Sequence, residues 1–192
     1  MDSTLLNESY PMSVYNFCKN NDIEEKNFYK YFGSFDAVKK MIWKSFYDNA
    51  ISLLKKDKDF RDSTPKEKLL SFYYTFFEIL LLNRSYILFV LSKEQKILNK
   101  ISDLKILRVN FKAFATELIE EGNIEKPSYL QHPPKIFSEA AWVQLGFLLK
   151  FWVEDTSKSF EKTDQAIEKS VQTAFDVFEN TPLSTLIDFG KF

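Results

Sequence analysis

The residue types that most often carry out chemistry in proteins are scarce in this chain. Its 192 residues include one His and one Cys, against 20 Phe, 9 Tyr and 3 Trp. His132 stands in a Pro-containing loop with no second His or Cys at metal-ligand spacing. Cys18 falls on an apolar helix face, where a cysteine is ordinarily a small core residue. With four Gly and no G-x-S-x-G, H-E-x-x-H or phosphate-loop pattern, nucleophilic, metal-assisted and phosphoryl-transfer chemistry all lack their parts. Carboxylate pairs such as Glu120 and Glu121 are typical of a solvated helix end. The sequence therefore predicts no catalytic residue, no metal and no cofactor. What remains is recognition. Lys26, Asn27, Tyr29, Lys30 and Tyr31 crowd into one short segment, and their cationic and hydrogen-bonding groups suit phosphates and base edges.

The elements that must position these groups read as helical throughout. Gly and Pro are few enough to act as punctuation, and between them apolar residues recur at helical spacing. Val14, Phe17 and Cys18 share one face of a brief helix that stops at Asn20, Asn21 and Asp22. Ile23 to Phe32 forms a second, closed by Gly33. Ser34 is an N-cap for a longer helix carrying Val38, Ile42, Phe46 and Leu53, which runs toward the charged stretch from Lys55 to Asp62. Thr64, Pro65 and Glu67 then spell a strong helix start, with a stop at Asn83 and a further short helix from Arg84 to Lys93. An amphipathic pattern of seven turns is predicted from Lys96 to Glu121, through Ile97 and Ile101, closed by Gly122. After a loop with Pro127, Pro133 and Pro134 come two long helices, Ile136 to Glu154 and Glu161 to Glu179, and Pro182 opens an apolar tail. The first of these two is interrupted by Gln144 and Lys150, so it is expected to fall short of a membrane span.

The run from Ser13 to Lys19, then Ile23, then Asn27-Phe28-Tyr29-Lys30-Tyr31-Phe32-Gly33-Ser34-Phe35-Asp36-Ala37-Val38 resembles the DNA-binding motif of TetR-family transcriptional regulators. The resemblance covers residues 13–38. It implies an all-α, TetR-like fold: a small N-terminal helix-turn-helix over residues 1–48, then a helical ligand-binding and dimerisation domain over residues 49–192. It implies DNA contact by Ser13, Lys26, Asn27, Tyr29, Lys30, Tyr31 and Lys39. Three features depart from the family pattern. Only twelve residues precede Ser13, so the first helix is stunted, absent, or lost to a misplaced start. Glu24 and Glu25 open the recognition helix, where carboxylates repel phosphates. Phe35 replaces a phosphate-contacting Lys. Residues 1–34 hold three Lys against five acids, a net charge of -2 where a DNA-reading segment is normally basic.

Beyond the motif, the resemblance implies an effector pocket for a small hydrophobic molecule, lined by Phe72, Phe76, Phe77, Phe89, Phe111, Phe114 and Trp142. The alternative for these rings is a packed core without a void. The last two helices are expected to pair with their copies in a homodimer through Ala141, Leu145, Leu148, Trp152, Ile167, Val171 and Phe175, because a helix apolar on more than one face needs cover on each. The balance of 26 basic and 27 acidic residues rules out a global field drawing the chain to nucleic acid or to an anionic membrane. The single Cys and a start without a basic or apolar leader fit a cytoplasmic protein. Two functions are thus expected: a homodimeric regulator that binds a palindromic operator in double-stranded DNA and answers to an apolar ligand, or a ligand-binding or protein-interaction module on the same scaffold that has lost DNA binding.

Overall fold

The computed structural model describes residues 1–92, 103–124 and 126–180, which form ten α-helices and no strand. They are α1 (Asp2–Leu6), α2 (Val14–Asn20), α3 (Glu25–Tyr31), α4 (Phe35–Leu54), α5 (Lys58–Asp62), α6 (Pro65–Leu81), α7 (Arg84–Ser92), α8 (Lys105–Asn123), α9 (Pro134–Glu154) and α10 (Glu161–Asn180). Ile97, Ile101 and the tail from Pro182 lie outside the described residues.

Local chemistry sets most of the boundaries. The hydroxyl of Ser13 accepts the Asn16 N–H at 3.2 Å and that of Ser34 accepts the Ala37 N–H at 3.3 Å, so α2 and α4 each begin on a side-chain cap. At Thr64 the capping box is complete. Its hydroxyl accepts the Glu67 N–H, and the Glu67 carboxylate accepts the Thr64 N–H at 2.8 Å, which holds that carboxyl below its usual range. Asn83 donates its side chain back to the Ile79 carbonyl at 3.0 Å, and α7 leaves α6 at 92°.

Glycine does less than the sequence predicted. None of the described glycines adopts a positive φ, and α8 runs through Gly122 to Asn123. Asn123 ends it by exchanging hydrogen bonds with the His132 backbone, at 2.8 Å and 3.0 Å, which pins the Pro-rich loop. Likewise α3 stops before Gly33, where Phe32 turns extended.

The core is one cluster built by α4, α6, α7, α8, α9 and α10, with Phe72, Tyr73, Phe76, Phe111, Leu145 and Trp152 among its fully buried side chains. On α4 the buried positions are Trp43, Phe46, Ala50 and Leu54; Leu53, expected to face inward, is exposed because the inward stripe passes through Leu54. α4 is continuous past residue 48, and its C-terminal half belongs to this body rather than to the N-terminal head. Polar links tie the layers together. Tyr73 donates to Gln144 at 2.9 Å, Gln144 donates to Ser170 at 3.1 Å, and Lys68 on α6 reaches Glu121 on α8 at 2.6 Å.

The end of α9 is held by a clamp that the sequence reading missed. The Arg84 guanidinium donates to the carbonyls of Trp152 and Asp155 at 3.1 and 3.3 Å and stacks on the Trp152 and Phe160 rings. Beside it, burial pushes the Asp155 carboxyl up, but hydrogen bonds from the hydroxyls and backbone N–H groups of Thr163 and Ser157 outweigh this and hold it down at about 2. A folded-state pKa below the unfolded value contributes stability that is present at neutral pH and is lost as the pH falls toward 2. Asp155→Asn is expected to cost about 1–3 kcal/mol at pH 7. It should also flatten the acid side of the stability curve between pH 5 and 2, read as melting temperature against pH by circular dichroism; a parallel, unflattened curve would contradict the assignment.

Candidate functional site

The head is small. Cys18 and Phe28 are its only buried apolar side chains among the described residues, and around them stand the rings of Phe17, Phe32 and Phe35. Phe35 lies 5.5 Å from Phe17 and 5.4 Å from Phe28, edge to face. The aromatic residue that displaces a phosphate-contacting Lys therefore completes the head's interior. Between α2 and α3, Asp22 takes a positive φ of 54°, a left-handed turn that Asp tolerates.

The seven residues expected at DNA separate into groups. Lys26, Tyr29 and Lys30 are exposed on the outer side of α3. Asn27 and Tyr31 are also exposed but border a cavity described below, with the Lys30 ammonium over the Tyr31 ring at 5.5 Å. Ser13 uses its hydroxyl as the α2 cap. Lys39 is engaged within the chain: its ammonium pairs with Asp36 at 3.0 Å and sits 4.2 Å over the Tyr10 ring. Glu24 and Glu25 remain exposed at the start of α3.

The rings expected to line an effector pocket pack on one another. Phe72 stacks on Phe76 at 5.4 Å and meets Phe111 and Phe114 at 5.2 and 5.1 Å. Phe77 contacts Trp152, Trp142 leans on Phe111, and Phe89 packs against Tyr10. None of the seven borders the α9/α10 groove or the head–body cavity described below. For these rings the packed-core alternative describes the geometry.

The residues expected at the dimer seam are likewise interior. Ala141, Leu145, Leu148, Trp152, Ile167, Val171 and Phe175 are all buried within the chain itself, so a second copy has no access to them. The same helices present a different face outward. On α9 it carries Ile136, Ala140, Val143, Gly146 and Phe147, with Val143 69% and Phe147 56% exposed. A groove of about 500 Å³ runs between α9 and α10, bordered by Ala140, Phe147, Ala166, Ser170, Thr173 and Ala174. By length and composition α9 just reaches what a bilayer span requires, with a hydropathy of 1.2, a property that core helices of helical domains share. Its inner face is packed inside the chain, as is common for the core helix of a helical domain.

A second cavity, of about 390 Å³, lies between the head and the body. Its lining includes Thr4 of α1, a helix that docks on α7.

Residues 68–192 match the family model described as Tetracyclin repressor-like, C-terminal domain. The chain belongs to the TetR family. The match begins in α6, and α1 to α5, with the segment 13–38, stand N-terminal to it. TetR-type proteins are transcriptional regulators rather than enzymes. Comparisons with curated proteins and with solved structures find no match.

Proposed function

We propose that this TetR-family chain is a homodimeric transcriptional regulator whose head binds a palindromic operator in double-stranded DNA and whose occupancy is set by a small apolar ligand. The observation that carries the reading is the head itself. A capped α2, a left-handed turn and a short α3 offering Lys26, Tyr29 and Lys30 outward are followed by a capped α4 rooted in the body core. Such a unit places one recognition helix per protomer, and a two-fold axis through the outward faces of α9 and α10 would supply the second about 34 Å away for successive major grooves. The small residues bordering the α9/α10 groove, with Phe147 and Val143 exposed beside it, support that choice of face.

At low salt, DNA from the region upstream of the gene is expected to be retarded by the protein, with the retardation lost in the Lys26→Glu, Lys30→Glu double variant. No retardation by folded dimer would overturn the DNA-binding half of the reading. A second reading, a ligand-binding or interaction module without DNA affinity, is favoured by specific observations: exposed Glu24 and Glu25, Phe35 packed on Phe17 and Phe28, and Lys39 paired with Asp36. It is supported instead if Glu24→Gln with Glu25→Lys raises affinity for random DNA from nothing to the micromolar range.

A further inference from the structure

The head is joined to the body mainly through its two ends. α2 and α3 pack chiefly on each other. At the C-terminal end, Phe35, the first residue of α4, meets the rings of Phe17 and Phe28 and so attaches the head to that helix. Between α3 and α7 stands the cavity of about 390 Å³, with Asn27 and Tyr31 on the head side and Tyr86 on the body side, where a packed interface would otherwise fix the head. A unit held only at a helix start can pivot about it, so a second attachment is needed to set its direction.

Tyr10 supplies that attachment. The segment before the head is seated on the body: α1 docks on α7, Thr4 is buried, and Leu5 and Tyr10 pack against the body core. The Tyr10 ring meets Phe89 of α7 edge to face at 5.3 Å, and the Lys39 ammonium of α4 lies over the same ring at 4.2 Å. Lys39 is itself held by Asp36 at 3.0 Å. Only Pro11 and Met12 separate Tyr10 from Ser13, whose hydroxyl caps α2, and the fixed φ of Pro11 stiffens that short link. One ring thus ties α7 and α4 to the entry of the head.

We propose that Tyr10 is a positioning residue, a latch whose ring, seated on Phe89 and under Lys39, fixes the orientation of the head on the body. The latch belongs to the chain alone and needs no ligand. Its consequence for DNA rests on the regulator reading: loss of the latch lowers the fraction of molecules that present their recognition helices at operator spacing.

The test measures the distance between spin labels on Lys26→Cys in α3 and Ala113→Cys in α8 of the full chain, diluted in excess unlabelled chain so that only pairs within one chain are read. Both positions are exposed, whereas Cys18 is buried and stays unlabelled in the folded protein. With Tyr10 in place, one narrow distance distribution is expected. Tyr10→Ala should widen it at least twofold, and Phe89→Leu, which removes the same ring contact from the body side, should do likewise. Tyr10→Phe keeps the ring and should keep the narrow distribution, an outcome that a role for the hydroxyl would not give. On DNA from upstream of the gene, Tyr10→Ala is expected to lose affinity at least tenfold and Tyr10→Phe to match the wild type. A wild type that ignores this DNA overturns the regulator reading, and the spin distances still decide the latch. An unwidened distribution in folded Tyr10→Ala overturns the proposal, as does widening in Tyr10→Phe. Where Tyr10→Ala does not fold, Phe89→Leu decides: an unwidened distribution overturns the latch.

Discussion

Phe72→Ala is expected to lower the stability of the folded chain by about 3–5 kcal/mol, the usual cost of removing a fully buried Phe. Phe72 has no exposed surface and touches Tyr47, Tyr73, Phe76, Phe111 and Phe114, rings supplied by α4, α6 and α8. Truncation would remove the contacts that hold these three helices in register and leave a void their stiff side chains cannot fill by small movements. A melting temperature lower by about 6–20 °C is expected for a chain of this size. Urea unfolding with an unchanged slope would show the same loss as a shifted midpoint. The result also separates the two alternatives for these rings. A Phe that lined an open effector pocket would lack partners on one side and cost far less, so a loss below about 1 kcal/mol would show a void where the geometry has contacts.

The second large effect concerns association. Phe147→Glu combined with Val143→Glu is expected to convert the proposed dimer into monomer, raising its dissociation constant at least 100-fold, with little change in helix content. Both side chains are exposed on α9, and a Cβ added at neighbouring Gly146 would meet nothing within 4 Å, so the face is open in the single chain. In a two-fold interface each substitution occurs twice and like charges confront each other across the axis, where desolvation makes them costly. Sedimentation velocity at micromolar concentration reads the outcome directly. A wild type that sediments as monomer removes the dimer, and a variant that stays dimeric moves the interface elsewhere.

Where the sequence was informative, a local physical rule was operating. Ser34 and Thr64 mark helix starts because a hydroxyl next to unpaired N–H groups has one dominant use, and both cap as expected. The all-helical, TetR-like fold was legible from helical periodicity and from the motif between Ser13 and Val38. Side-chain direction was harder. Leu145, Leu148 and Trp152 share the apolar character of Val143 and Phe147, and periodicity alone does not say which stripe faces the chain's own core and which faces outward. That depends on how α6 and α8 cross α9. Lys39 was read as a phosphate contact because nothing local reveals that the Tyr10 ring covers it. The Arg84–Asp155 clamp joins residues 71 positions apart and has no local signature at all.

Cys18, first read as a small core residue, gives the protein two independent reporters of its own stability. The lone thiol is buried in the head, whereas Trp43, Trp142 and Trp152 all belong to the body cluster. With so little apolar surface buried around Phe28, the head is the part most ready to open locally. The rate at which a thiol reagent reaches Cys18 therefore times the opening of the head, while tryptophan fluorescence follows the unfolding of the body, in one unlabelled molecule.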